Sequence, residues 1–529
     1  MEFPRILRLT GAYPYFLSMY FVGGMKILYS TGIYSGGPPA LWSSWIVTMF
    51  GACATAACLA EICSSIPLSG SIYLWAAAVS GPTSPSRARL FGFIGAWWTS
   101  SAWISFCAST SQAVANFIMS ELVVFNRAFP GGLDNSNIKF RAVQWAVAEF
   151  VLFVCVLSNT MPPKRFKWIF RASLLVMVID FLALFIALPM GAAKTYGFRG
   201  REFLTTSYNG TGASSGWNWT LSFLSTSYVL TGFDAAAHIG EEVKNPSLAA
   251  ARGVFYSCLV SAIFGAPLLM LLLVCSPPLD VLFEAAAPQP LVVLFQDILG
   301  TGGQLVLSII SIIGLMVNVT VCLVAASRLI SAIARDGILP GSAWIGRVDK
   351  NGNPTNAVYF VGGVGAVLLC TILPSTVAFT SLVSISGVPT IALYAAIPVL
   401  RLLFTRDQFK HARWSNGRLS TPLCIIAAIW NLFICSIMFS PYTFPVTAQT
   451  FNFAAPVFVG IVSWLFVPGC ILMSRSTDTI FNDLPQTICG IVSWWIVPEE
   501  RWLSKEFIQA AGHSRVLEDS SVCSSDKAE

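Results

Sequence analysis

Twelve stretches of this chain are each long and apolar enough to cross a bilayer as a helix. They run approximately over 12–34, 42–66, 90–125, 142–161, 168–190, 217–239, 254–276, 303–334, 356–373, 377–404, 422–440 and 453–473. A crossing takes about 20 mostly apolar residues. Hydrocarbon offers no partner to a free peptide group, so such runs are confined to helices that satisfy their own backbone. Charge content agrees: 11% of the 529 residues are charged, against about 25% in soluble domains. The chain therefore reads as an all-α, multi-pass membrane protein with about twelve transmembrane helices. The net charge of +6 does not point to nucleic acid, because the basic residues sit in short loops between apolar runs. The expected surroundings are the lipid bilayer, with no nucleic-acid partner.

Lys and Arg set the orientation. With the N-terminus in the cytoplasm, the inner loops hold sixteen of them, including Lys164, Arg165, Lys167 and Arg171 after the fourth span. The outer loops hold six: Arg127, Lys139, Arg141, Lys194, Arg199 and Arg201. Cytoplasmic loops carry the basic excess, so both termini are expected inside. Two glycosylation sequons, at Asn209 and Asn218, fall in or beside an outer loop, which agrees. No cleavable signal is expected, since the first apolar run continues past Gly32 without a cleavage site. The 14 cysteines mostly lie inside apolar runs without metal-site spacing and read as small buried hydrophobes.

This gives three regions: a short cytoplasmic N-terminus (1–11), a transmembrane domain (12–473) and a C-terminal segment (474–529). That last segment carries a local repeat. Gly460-Ile-Val-Ser-Trp-Leu-Phe-Val-Pro468 recurs as Gly490-Ile-Val-Ser-Trp-Trp-Ile-Val-Pro498, by duplication or through a wrongly translated intron. Residues 510–529 are polar, the composition of a disordered cytoplasmic tail.

Polar residues at membrane depth are expensive, so they mark function or a partner. Lys26 follows Val22-Gly23-Gly24-Met25 in the first span. Glycines there either loosen the helix around a site or allow close packing. Asp234 lies in Thr231-Gly232-Phe233-Asp234, toward the inner part of the sixth span. It reads as a site carboxylate able to carry a proton, or as a group hydrogen-bonded at a helix break. Asp180, near the middle of the fifth span, reads first as half of an ion pair that fixes packing, with Lys26 a conceivable partner. Glu149 reads as packing. Glu61 and the His238–Lys244 stretch read as helix ends and cytoplasmic loop chemistry. No nucleophile elbow, phosphate loop, HExxH or catalytic carboxylate pair occurs, and the three His (His238, His411, His513) are too scattered for a metal centre. No enzyme activity, metal or cofactor is expected.

The stretch Gly232-Phe-Asp-Ala-Ala-Ala-His-Ile-Gly-Glu-Glu-Val-Lys-Asn-Pro-Ser-Leu-Ala-Ala-Ala-Arg252 resembles the signature of permeases in the amino acid–polyamine–organocation superfamily. The closer likeness is to its fungal amino acid/choline branch, which includes GABA and choline permeases. Tyr34–Pro38, Ala60–Trp75 and Ala326–Pro340 agree, and the similarity runs from about 12 to 465. The resemblance implies a LeuT-like fold. Spans one to five (about 12–190) and six to ten (about 217–404) would form an inverted repeat, with extra helices at about 422–440 and 453–473. It also implies broken first and sixth spans that hold the substrate near the midplane. By that pattern Val22, Gly23, Gly24, Met25, Thr231, Gly232, Phe233 and Asp234 would line the substrate site. Asp234, Asp180 and Lys26 become candidates for proton coupling. The implied function is proton-coupled symport of an amino acid or related amine (GABA, choline or polyamine-like) by alternating access. The implied location is the plasma membrane, with the vacuolar membrane second. The alternatives are a transporter-like nutrient sensor without flux and a vacuolar exchanger or exporter. Lys26 departs from the family's usual uncharged residue, and an unpaired Lys there would repel a cationic substrate.

Overall fold

The computed structural model describes residues 21–447, apart from 82–83, 134, 163–164, 241–244, 285–286, 375, 407 and 410–411, together with 451–452. The beginning of the first expected span, the twelfth span, the 460–498 repeat and the tail lie outside the described residues.

Among the described residues the chain is helical and forms no strand; an isolated bridge pairs Ser35 with Asn209. In order come α1 (Phe21–Tyr34), α2 (Gly37–Ser65), α3 (Ser71–Ser80), α4 (Pro85–Val124), α5 (Ile138–Asn159) and α6 (Phe166–Lys194). After the short α7 (Arg201–Thr205) come α8 (Ser215–Val229), α9 (Ala235–His238) and α10 (Pro246–Val274). Then follow α11 (Leu279–Glu284), α12 (Pro290–Arg335), α13 (Ser342–Ile345), α14 (Thr355–Leu369), α15 (Thr376–Phe404) and α16 (Ser420–Met438). Eight helical stretches among them are long and apolar enough to cross a membrane: α2, α5, α6, α10, α12, α14 with its following turn, Ser386–Phe404 of α15, and Gly417–Met438 around α16.

Two differences from the expected spans have physical causes. The eighth span is part of a longer helix whose backbone breaks at Gly300 (φ 68, ψ 175), so 290–299 is a separate segment leading into it. The third span, α4, is 40 residues long but is not among the eight. It carries Thr99, Ser100, Ser101, Ser105, Thr110, Ser111 and Gln112, all buried. These side chains avoid lipid because α3, α5, α12, α14 and α15 surround the helix. Several hydroxyls donate back to their own helix, Ser100 to the Ala96 carbonyl at 2.7 Å and Ser111 to Cys107 at 2.9 Å.

Lipid-facing and core-facing sides separate clearly on α6. Leu175, Leu182 and Ile186 are more than half exposed, whereas Asp180 is fully buried. The turn from α1 to α2 depends on glycine. Gly36 and Gly37 take φ of 93° and 76°, and a Cβ on Gly36 would lie 2.4 Å from that of Ala40. Pro38 then starts α2, where its missing N–H is harmless.

The two sequons differ in access. Asn209 is exposed. Asn218 is buried in the first turns of α8, where its Nδ2 donates to the Tyr208 carbonyl at 3.0 Å and its Oδ1 accepts from Thr211 at 2.7 Å. Asn209→Gln should therefore remove the glycan shift seen on treatment with peptide N-glycosidase, and Asn218→Gln should keep it. A wild-type chain without any glycan would reverse the orientation expected from the basic residues.

Candidate functional site

The sixth span is broken. Helix α8 ends at Val229 and α9 starts at Ala235, with Leu230–Asp234 between them. Gly232 makes the break possible, with φ at 97°. Backbone of this kind is tolerated at depth only where protein or water encloses it, and Leu230, Phe233 and Asp234 are buried.

Asp234 is fully buried and so is His238, four residues on. The Tyr394 hydroxyl of α15 donates to Asp234 Oδ1 at 2.6 Å. The Tyr394 ring also stacks on Phe233, 4.9 Å between centroids. Asp234 Oδ2 lies 3.3 Å from His238 Nε2, and neither atom has a hydrogen-bond partner among the described residues. On the far side of the imidazole, Nδ1 meets the Ser71 hydroxyl at 2.7 Å. Ser71 opens α3 with a φ of 37°, a left-handed backbone that costs on the order of 1–3 kcal/mol and clusters at functional sites. The Trp103 ring meets the imidazole edge-on at 5.2 Å. From there an aromatic flank continues along α4 through Phe106 to Tyr228 in the last turn of α8. Tyr228 is joined in turn to Ser386 of α15 by a hydroxyl–hydroxyl hydrogen bond.

The break thus gathers a buried carboxylate with a free lone pair, an imidazole, two tyrosine hydroxyls and aromatic faces. The carbonyl end of α8 adds partial negative charge at the same place. Thr231 turns its hydroxyl onto the Ser227 carbonyl at 2.8 Å. Of the sequence candidates, Thr231, Gly232, Phe233 and Asp234 come together here.

The first-span candidates behave differently. Val22, Gly23, Gly24 and Met25 lie inside α1, which is helical from Phe21 onward. The glycines do not interrupt the described helix, which starts at Phe21; the chain before it, where a break next to Val22 would fall, lies outside the described residues. At Gly24 the helix faces α8, where a Cβ would stand 3.6 Å from Val229. Lys26 leaves α1 for an ion pair. Its Nζ donates to Asp180 Oδ1 at 2.5 Å and to Ser311 Oγ at 2.6 Å, with both charged groups fully buried. This joins α1, α6 and α12. Gln289 caps the arrangement by donating to the Lys26 carbonyl at 2.7 Å. None of the Lys26 contacts belongs to the Asp234 group.

Two stretches read as helix-end chemistry prove to be interior. His238 is one. Glu61 is the other: fully buried, it accepts from Arg401 at 2.8 Å and Ser420 at 2.7 Å, and from the Asn416 N–H at 3.3 Å. This ties α2 to α15 and to the start of α16. Glu149 is an intermediate case, partly buried and accepting from Trp145 at 3.1 Å. Among the described residues no group of His, Cys, Asp and Glu could hold a metal ion. The described cysteines form no disulfide.

A bundle of spans with one helix broken at a buried carboxylate defines the class: an integral, multi-pass membrane transport protein of the LeuT-like kind. Residues 15–463 match the sequence profile of the amino acid permease family. The chain belongs to that family, whose members are transporters and not enzymes. It is 43% identical over 493 residues to the thiamine transporter thi9 of Schizosaccharomyces pombe, a match covering 88% of this chain and 82% of that one. It is 26% identical over 462 residues to the amino-acid permease BAT1 of Arabidopsis thaliana, covering 84% and 87%. Among solved structures, a manganese transporter of Eremococcus coleocola superposes with a TM-score of 0.51 over 92% of this chain and 95% of that one. At 13% identity this is a likeness of fold alone.

Proposed function

We propose that this permease is a proton-coupled importer of a small organic cation, with a heteroaromatic amine of the thiamine type as its substrate. The observation that carries the reading is Asp234 Oδ2, a buried carboxylate oxygen with no hydrogen-bond partner among the described residues, at the break in the sixth span. A carboxylate, a helix carbonyl end and aromatic faces each favour a cation, and the rings favour a flat one. Lys26, which would oppose a cation, is occupied by Asp180. The relation to a thiamine transporter supports the same substrate class. The basic residues of the loops support cytoplasmic termini, and import from outside supports the plasma membrane as the site of action.

The test is uptake of labelled thiamine, choline, GABA and amino acids by transport-deficient cells, with and without a proton uncoupler. Thiamine or another aromatic cation should accumulate, and the uncoupler should abolish the accumulation. Accumulation of zwitterionic amino acids in preference to every cation would overturn the substrate, and binding without flux would make the protein a sensor.

A further inference from the structure

A single carboxylate holds either a proton or a substrate cation. If Asp234 alone served both, they would compete for it, and competition at one site gives exchange of one for the other. Symport requires that both be held at once, so a second proton-holding group is needed beside the first. The structure supplies one. His238 Nε2 stands 3.3 Å from Asp234 Oδ2, and both atoms are buried with no hydrogen-bond partner among the described residues. The other ring nitrogen is held by Ser71 at 2.7 Å, from a backbone in the left-handed region.

We propose that Asp234 and His238 form a two-part coupling site, in which Asp234 takes the substrate cation while His238 holds the symported proton. This rests on the proposed function above. The step balances within the pair. The Asp234 carboxyl breaks its Oδ2–H bond and becomes a carboxylate. The proton forms a bond to the Nε2 lone pair of the neutral imidazole, which becomes an imidazolium. Its Nδ1–H is donated to the Ser71 hydroxyl, and the freed carboxylate binds the cation. His238 thus has one partner in the broken span and one on α3, which follows the second span.

The surroundings suit such a pair. Among the described residues the imidazole meets Asp234 from its own segment, Ser71 from α3 and the Trp103 ring from α4. Tyr394 of α15 lies beyond, on Asp234. Next to His238, α10 sets Ala250 beside Gly240, and Val321 and Val324 of α12 share an apolar cluster with Ile239. No described charge other than Asp234 pairs with the ring.

The experiment compares two activities of the full-length protein in vesicles: uncoupler-sensitive accumulation of thiamine, and thiamine–thiamine exchange, which needs no net proton movement. His238→Gln keeps a polar group toward Ser71 but cannot hold the proton. Accumulation should fall at least about tenfold further than exchange and lose its dependence on external pH. Ser71→Ala, which leaves the imidazole in place, should keep exchange and displace the pH profile of accumulation. Wild-type accumulation by His238→Gln overturns the proposal, as does an equal fall of exchange and accumulation when the variant reaches the membrane. If His238→Gln does not reach the membrane, Ser71→Ala decides alone, and an unchanged pH profile overturns the proposal. A wild-type protein without uncoupler-sensitive uptake would instead overturn the proposed function, and the pair with it.

Discussion

Asp234→Asn should leave the protein in the membrane and remove its ability to concentrate substrate. The amide keeps the shape of the side chain and an oxygen that still accepts from Tyr394, so folding is little disturbed. The charge that would attract a cation is gone. Symport of one proton adds about 1.4 kcal/mol per unit of pH difference, a factor of about ten in accumulation ratio. That factor should vanish in the variant. A cationic substrate is also driven by membrane potential, at about 2.3 kcal/mol per 100 mV, so the measurement requires the potential clamped near zero. Affinity should weaken at the same time, because Asp234 is read as the cation's partner. This separates it from His238→Gln, which is expected to lose accumulation more than exchange. A variant whose uptake follows external pH as the wild type does would remove Asp234 from the mechanism.

The second large effect concerns stability. Lys26→Met should destabilise the protein by about 3–5 kcal/mol, the usual cost of removing one partner from a buried ion pair. It takes the cation away from Asp180 while both positions stay fully buried between α1, α6 and α12. Replacing both, as in Lys26→Met with Asp180→Leu, should recover most of the loss, since an apolar pair of similar volume is often neutral. Thermal unfolding in detergent and surface abundance report the two cases. A single variant as stable as wild type would mean that the pair contributes nothing to the fold. Proton-coupled uptake that persists in the double variant would leave Asp234 as the surviving coupling candidate of the three read from the sequence.

The membrane class and most helix positions were legible because hydrocarbon imposes a simple rule on composition. Runs of about 20 apolar residues have few other uses. The sixth-span site was half legible. Gly232 beside Asp234 at depth is a local signal, and His238 four residues later lies at helical spacing from it. From sequence alone His238 nevertheless reads with the loop, because the following Glu241, Glu242 and Lys244 have the composition of cytoplasmic chain. Ser71, Trp103 and Tyr394 gave no signal, as hydroxyls and rings are common in spans that pack on other helices. The glycines of the first span carry two readings from sequence, an unwound segment and close helix packing. Gly23 and Gly24 carry the pattern of an unwound segment, but the described helix passes through them and places Gly24 against α8.

What the sequence by itself determined is what each segment must avoid. Apolar runs avoid water, and the basic loops define a side. Lys26, Asp180 and Asp234 avoid lipid, which marks them as needing partners. Which partner each finds was decided only by the packing. Lys26 meets Asp180 from 154 residues away, Asp234 meets Tyr394 from 160, and Glu61 meets Arg401 from 340. A single chain read along its length shows periodicity over a few turns of helix, but not which helix faces will touch. That choice belongs to the bundle as a whole. It neutralises Lys26 on Asp180 and, among the described residues, leaves one oxygen of Asp234 without a hydrogen bond beside an imidazole.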